Sequence, residues 1–152
     1  MKKMMIMIAL ASLLGCSNKE EKDVHPPAMF IQQGDQQHKT YLGSYCWSGV
    51  GQAVCVDKAA PEKIVKGKKA IEVKPGETLS FVINAKRTPT SATLSQRVDG
   101  TEKKVRTNHD QFKVPTERGT YGYVYEAKWS EQKAKDVPAN IAPYVFLIQV
   151  KE

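Results

Sequence analysis

Hydrophobic and polar residues divide the chain into three stretches. Met4 to Leu13 is an almost unbroken apolar run behind Lys2 and Lys3. Ser17 to Pro27 is polar, with Asn18-Lys19-Glu20-Glu21-Lys22-Asp23 at its centre and His25-Pro26-Pro27 stiffening its end. From Ala28 onward, short β-type segments alternate with turn residues.

The segments in this third stretch are Met29 to Ile31, His38 to Trp47, Ala53 to Val56, Ala70 to Val73, Thr78 to Asn84, Ala92 to Val98, Lys103 to Thr107, Gln111 to Val114, Thr120 to Trp129 and Tyr144 to Val150. Thr78 to Asn84 alternates cleanly and puts Leu79, Phe81 and Ile83 on one face. Thr120 to Trp129 does the same with Tyr121, Tyr123, Tyr125, Ala127 and Trp129. Its other face, Thr120, Gly122, Val124, Glu126 and Lys128, is largely polar. That contrast marks the aromatic row as half of a core rather than a sugar-stacking platform. Pro75-Gly76 and Asp99-Gly100 are turn signals, the second of hairpin type. Only Ser130 to Lys135 reads as helical, and Pro138 and Pro143 bracket the stretch after it. No internal repeat of fixed period appears. These spacings predict an all-β domain, a sandwich or a barrel.

The leading run of about ten apolar residues is too short to span a bilayer, which takes roughly 20. With two lysines before it, it reads as an export signal. It closes on Leu13-Leu14-Gly15-Cys16, which resembles the lipobox of bacterial lipoproteins. The resemblance implies diacylglycerol on Cys16, cleavage before it, and anchoring through membrane lipid, at the outer membrane if the cell is Gram-negative. Two acyl chains hold a protein stably where one is marginal. The expected organisation is a signal peptide over 1–15, a lipidated, disordered tether over 16–27, and one domain over 28–152. Fully extended, the tether residues after Cys16 reach about 40 Å.

Glu117-Arg118-Gly119-Thr120-Tyr121 resembles the tyrosine corner of immunoglobulin-like sandwiches, in which a Tyr hydroxyl bonds back to the backbone at the start of a late strand. The resemblance implies a corner role for Tyr121 and an immunoglobulin-like antiparallel β-sandwich. Antibody domains carry a Cys two residues on, where this chain has Tyr123, so no inter-sheet disulfide follows from it. Gly43-Ser44-Tyr45-Cys46-Trp47, Cys55 and the late aromatic strand together resemble uncharacterised secreted or lipid-anchored proteins of Bacillus-type bacteria. Those proteins carry no established activity.

Charge and cysteine usage narrow the chemistry. The chain is 41% hydrophobic and 26% charged, with a formal net charge of +7. Loss of Lys2 and Lys3 with the leader brings it to +5. A mildly basic exported domain suits anionic partners such as lipid headgroups or wall polymers. No nucleic-acid motif is present, so nucleic acid is not an expected partner. Lys63, Lys66, Lys68 and Lys69 gather around Gly67 as a candidate anionic-surface site, with a solvated rim as the plainer reading.

Setting Cys16 aside leaves Cys46 and Cys55. In an oxidising compartment they are expected to form a disulfide across a short turn. A thiol-redox or metal-handling pair is the alternative. The spacing is not the Cys-x-x-Cys of a thioredoxin-type site. His25, His38 and His109 are scattered, and no zinc, phosphate-loop, dinucleotide or nucleophile motif occurs. No metal, cofactor or catalytic residue is assigned. The sequence therefore predicts a non-enzymatic envelope lipoprotein that binds a protein or anionic wall component at the cell surface.

Overall fold

The computed structural model describes residues 25–49, 51–98, 100–130 and 140–152. The leader, Cys16, most of the tether and nearly all of the helical reading at Ser130 to Lys135 lie outside the described residues.

The strands are β1 (Met29–Gln33), β2 (Gln36–Lys39), β3 (Tyr41–Leu42), β4 (Tyr45–Gly49), β5 (Gln52–Val56), β6 (Ile71–Val73), β7 (Thr78–Ile83), β8 (Ser91–Val98), β9 (Thr101–Val105), β10 (Gln111–Lys113), β11 (Gly119–Trp129) and β12 (Asn140–Val150). A single helical turn, α1 (Pro61–Ile64), lies between β5 and β6. The strands form an all-β sandwich of two sheets. The smaller runs β10-β7-β1-β2, and the larger β5-β4-β12-β11-β8-β9. Neighbours are antiparallel except for β6, which pairs parallel to the end of β12 (Ile148 opposite Ile71).

Alternation within the strands builds the core. Met29, Ile31, Leu79, Phe81 and Phe112 face inward from the small sheet; Leu94, Tyr123, Tyr125, Ala127, Trp129, Tyr144, Phe146 and Ile148 meet them from the large one. Phe81 stacks on Phe112 with ring centroids 5.1 Å apart and tilts against Tyr125 at 4.2 Å. Tyr123 stacks on Phe146 at 5.4 Å. Each fully buried side chain of this size contributes roughly 1.5–3 kcal/mol by leaving water, so the aromatic row holds the two sheets together.

Three local expectations need correction. The run His38 to Trp47 is not one strand but β2, β3 and β4, which belong to different sheets: β2 pairs with β1, whereas β3 and β4 pair with β12. At Gly43, between β3 and β4, a side chain is crowded out, because a Cβ there would lie 3.0 Å from Pro143 Cγ. The last strand begins at Asn140 rather than Tyr144, so Pro143 lies inside it, opposite Glu126. Its carbonyl accepts from Gly43 N–H at 2.8 Å, so its missing N–H faces Gly43, between β3 and β4, and not the β11 ladder. Finally, α1 was not anticipated. Pro61 at the first turn presets the helical φ.

Candidate functional site

The segment from Lys58 to Ala70 crosses the outer face of the large sheet, and its backbone is fixed from both sides. Lys58 N–H donates to Ser44 Oγ at 2.9 Å. Ile64 and Val65 N–H close α1 onto the carbonyls of Ala60 and Pro61, and Lys68 N–H returns to Val65 at 3.0 Å. Gly67 sits at φ 74°, where a side chain would be strained. Beneath the turn, Val65 packs on Val124 and Val145, with Tyr41, Ile64 and Leu147 around them. The outer face of β11 is therefore not uniformly polar. Val124 is buried there because α1 covers it.

This anchoring leaves Lys63, Lys66, Lys68 and Lys69 exposed on one short stretch. Lys68 Nζ lies 5.3 Å from the Tyr41 ring centroid. Lys69 adds to the field at Glu72, whose carboxyl is held below its ordinary value mainly by the hydrogen bond and charge of Lys151. Lys63 and Lys66 make no ion pair with another described residue. The four lysines come together, as their spacing implies, but around a turn packed on the sheet.

Alongside that turn runs a cleft of about 290 Å³. Pro61, Val65 and Lys66 form one side, Arg97, Val145 and Leu147 the other. Gly122 opens its floor: it stands directly opposite Arg97 between β11 and β8, and contributes no side chain. Apart from Lys66, the sequence reading missed these residues. The available signal was a glycine in a strand interior, which often marks close approach by another group.

Cys46 and Cys55 lie opposite each other in the β4–β5 hairpin, 4.1 Å apart at Cα, and are disulfide-bonded. Both are exposed. Trp47 and Val54 pair next to them, and Trp47 meets Trp129 edge-on at 5.0 Å. Tyr121 Oη donates to the Glu117 carbonyl at 2.9 Å, at the start of β11. The histidines are dispersed: His25 Nδ1 is 3.1 Å from Tyr45 Oη, His38 Nε2 is 3.0 Å from Gln33 Oε1, and His109 contacts Asn108. Among the described residues no group of three or more His, Cys, Asp or Glu is placed to hold a metal. No helix among them is long and apolar enough to cross a membrane.

Comparison with known proteins finds no match to a family model, a curated protein or a solved structure.

Proposed function

We propose that this chain is a membrane-anchored envelope lipoprotein whose sandwich is a non-enzymatic binding module at the cell surface. The observation that carries the reading is the cysteine arrangement. Cys46 and Cys55 are bonded to each other, so Cys16, behind a basic and apolar leader, stands outside the pair. The hydrogen bond from Tyr121 to Glu117 supports grouping the domain with immunoglobulin-like sandwiches. The surface for an anionic envelope partner is the stretch bearing Lys63, Lys66, Lys68 and Lys69.

Fractionation tests the anchor. Cys16→Ser is expected to move the protein out of the membrane fraction, and retention after a high-salt wash would defeat the reading. Sedimentation with phosphatidylglycerol vesicles, and in parallel with an anionic wall polymer, tests the surface. Replacing the four lysines by glutamine should weaken one of the two interactions by about a hundredfold or more at low salt, since each lysine near an anionic surface is worth about 1 kcal/mol. The effect should fade as salt screens it. Unchanged sedimentation in both would remove the lysines from the site.

A second reading, thiol–disulfide exchange at Cys46 and Cys55, is favoured by the exposure of both residues. Mass spectrometry of protein taken directly from cells decides it. A fully oxidised pair that resists mild dithiol reductant leaves only a staple.

A further inference from the structure

We infer that the cleft between α1 and the outer face of the large sheet binds a small amphiphilic monocarboxylate, with its head on Arg97 and Lys66 and its hydrocarbon on Val65, Val145 and Leu147. The site shares only Lys66 with the lysine surface and does not depend on the anchor.

Size sets the class of ligand. A cleft of about 290 Å³ lies at the lower end for small-molecule sites, about 300–1,000 Å³. A folded partner would need roughly 800 Å² of its own surface buried. Hydrocarbon from Pro61, Val65, Val145 and Leu147 makes most of the wall, which excludes a purely polar ligand such as a free sugar.

Arg97 supplies the second observation. Its side chain is 29% exposed, and its one ion pair among the described residues is a contact of 3.5 Å to Glu102, its cross-strand partner. That is long for a charge-assisted bond, which closes to about 2.7–2.9 Å. Its Nε is buried with no hydrogen-bond partner. A guanidinium has five N–H donors in a planar fork matched to a carboxylate. Here the Nε donor is unused beside an apolar wall, where an unmade bond costs most.

Charge then selects among anions. The charged residues lining the cleft are Lys66, Arg97 and Glu62, which sum to +1. That balance suits a monoanion and disfavours a dianionic phosphate monoester. Gly122 leaves the path to Arg97 open: a Cβ built there meets only ordinary contacts, 3.8 Å to Arg97 and 3.9 Å to Leu147. A larger side chain at that position would fill the cleft without displacing backbone.

The test titrates full-length protein with octanoate, octanol and acetate, following the methyl signals of Val65, Val145 and Leu147 by NMR. Octanoate should give saturable shifts at these methyls. Octanol, which lacks the charge, and acetate, which lacks the chain, should each bind about tenfold or more weakly, the range expected for losing one charged hydrogen bond or several buried methylenes. Arg97→Gln should weaken octanoate by a similar factor and Arg97→Lys by less. Gly122→Leu should abolish binding while Arg97 stays in place, and Glu102→Gln should leave it unchanged or tighten it. Thermal melting of each variant confirms that it is folded. The inference is overturned if octanoate gives no saturable shift, if Arg97→Gln or Gly122→Leu binds it as the parent does, or if octanol binds equally well. Shifts seen only with phosphatidylglycerol vesicles would place the interaction at a membrane surface and also overturn it.

Discussion

The phenolic hydroxyl of Tyr144, midway along β12, donates to the backbone carbonyl of Pro27 at 2.7 Å, joining positions 117 apart in sequence. The ring is 2% exposed, so the bond fixes the approach to β1 from inside the core. Tyr144→Phe keeps the packing and removes the bond. It should lower stability by about 0.5–1.5 kcal/mol, read as a shift in urea midpoint, and speed proteolysis around Pro26 and Pro27. An unchanged midpoint with unchanged cleavage would show that the approach is held by other contacts.

Alkaline pH should unfold the domain through its tyrosines. Burial holds the hydroxyls of Tyr123, Tyr125 and Tyr144 above the ordinary phenol value, with smaller contributions from Tyr121, Asp110 and Tyr125 respectively. In the unfolded chain they ionise near 10. Their folded values are raised, so the stabilisation is fully present below about pH 10 and is lost as pH climbs past it. Phenolate absorbance should show these three of the six tyrosines ionising only with loss of structure. A single reversible step for all six near pH 10, fold intact, would contradict this.

Gly43 and Gly122 form a matched pair. Gly43→Ala forces a Cβ to 3.0 Å from Pro143 Cγ and should destabilise by about 1–3 kcal/mol, as overpacking does. Gly122→Ala has room, and removes a flexible residue from a strand interior, so it should be neutral or gain about 0.5 kcal/mol. Equal melting temperatures for the two variants would refute the crowding at Gly43.

Reduction of Cys46–Cys55 should act locally before it acts globally. Its loop of about ten residues limits the loss to roughly 2.5–3 kcal/mol. The β4–β5 hairpin is otherwise tied to β12 by the Ile141–Cys46 pairing and by Asn140, whose side-chain amide bonds both the N–H and the carbonyl of Ser48. Freed of the disulfide, the hairpin should fray and part Trp47 from Trp129. Tryptophan fluorescence should therefore change at lower urea than far-ultraviolet circular dichroism. Coincident transitions would make the hairpin part of one cooperative unit.

What the sequence revealed follows from how local each cause is. Tyr121 to Trp129 declares its inward face because period-two alternation is written within eleven residues. The Cys46–Cys55 pairing is equally local, as both residues lie on one hairpin. The break of His38 to Trp47 was hidden, since β2 pairs with β1 whereas β3 and β4 pair with the distant β12. The burial of Val124 was hidden for the same reason: its cover, α1, is not a neighbour in sequence. Arg97 carries no signal of its own in the sequence. Only its register opposite Gly122 and its poor contact with Glu102 set it apart, and register is a property of the assembled sheet.

β12 gives the fold an order in time. It carries β11 along one edge and β4, β3 and β6 in turn along the other, and it follows all the other described strands in sequence. Until residues 140–150 emerge, the hairpin, the α1 segment and the aromatic row have no common partner. Such distant pairings form slowly. A chain on the proposed export route would thus stay threadable until β12 had crossed, then close into its sandwich on the far side.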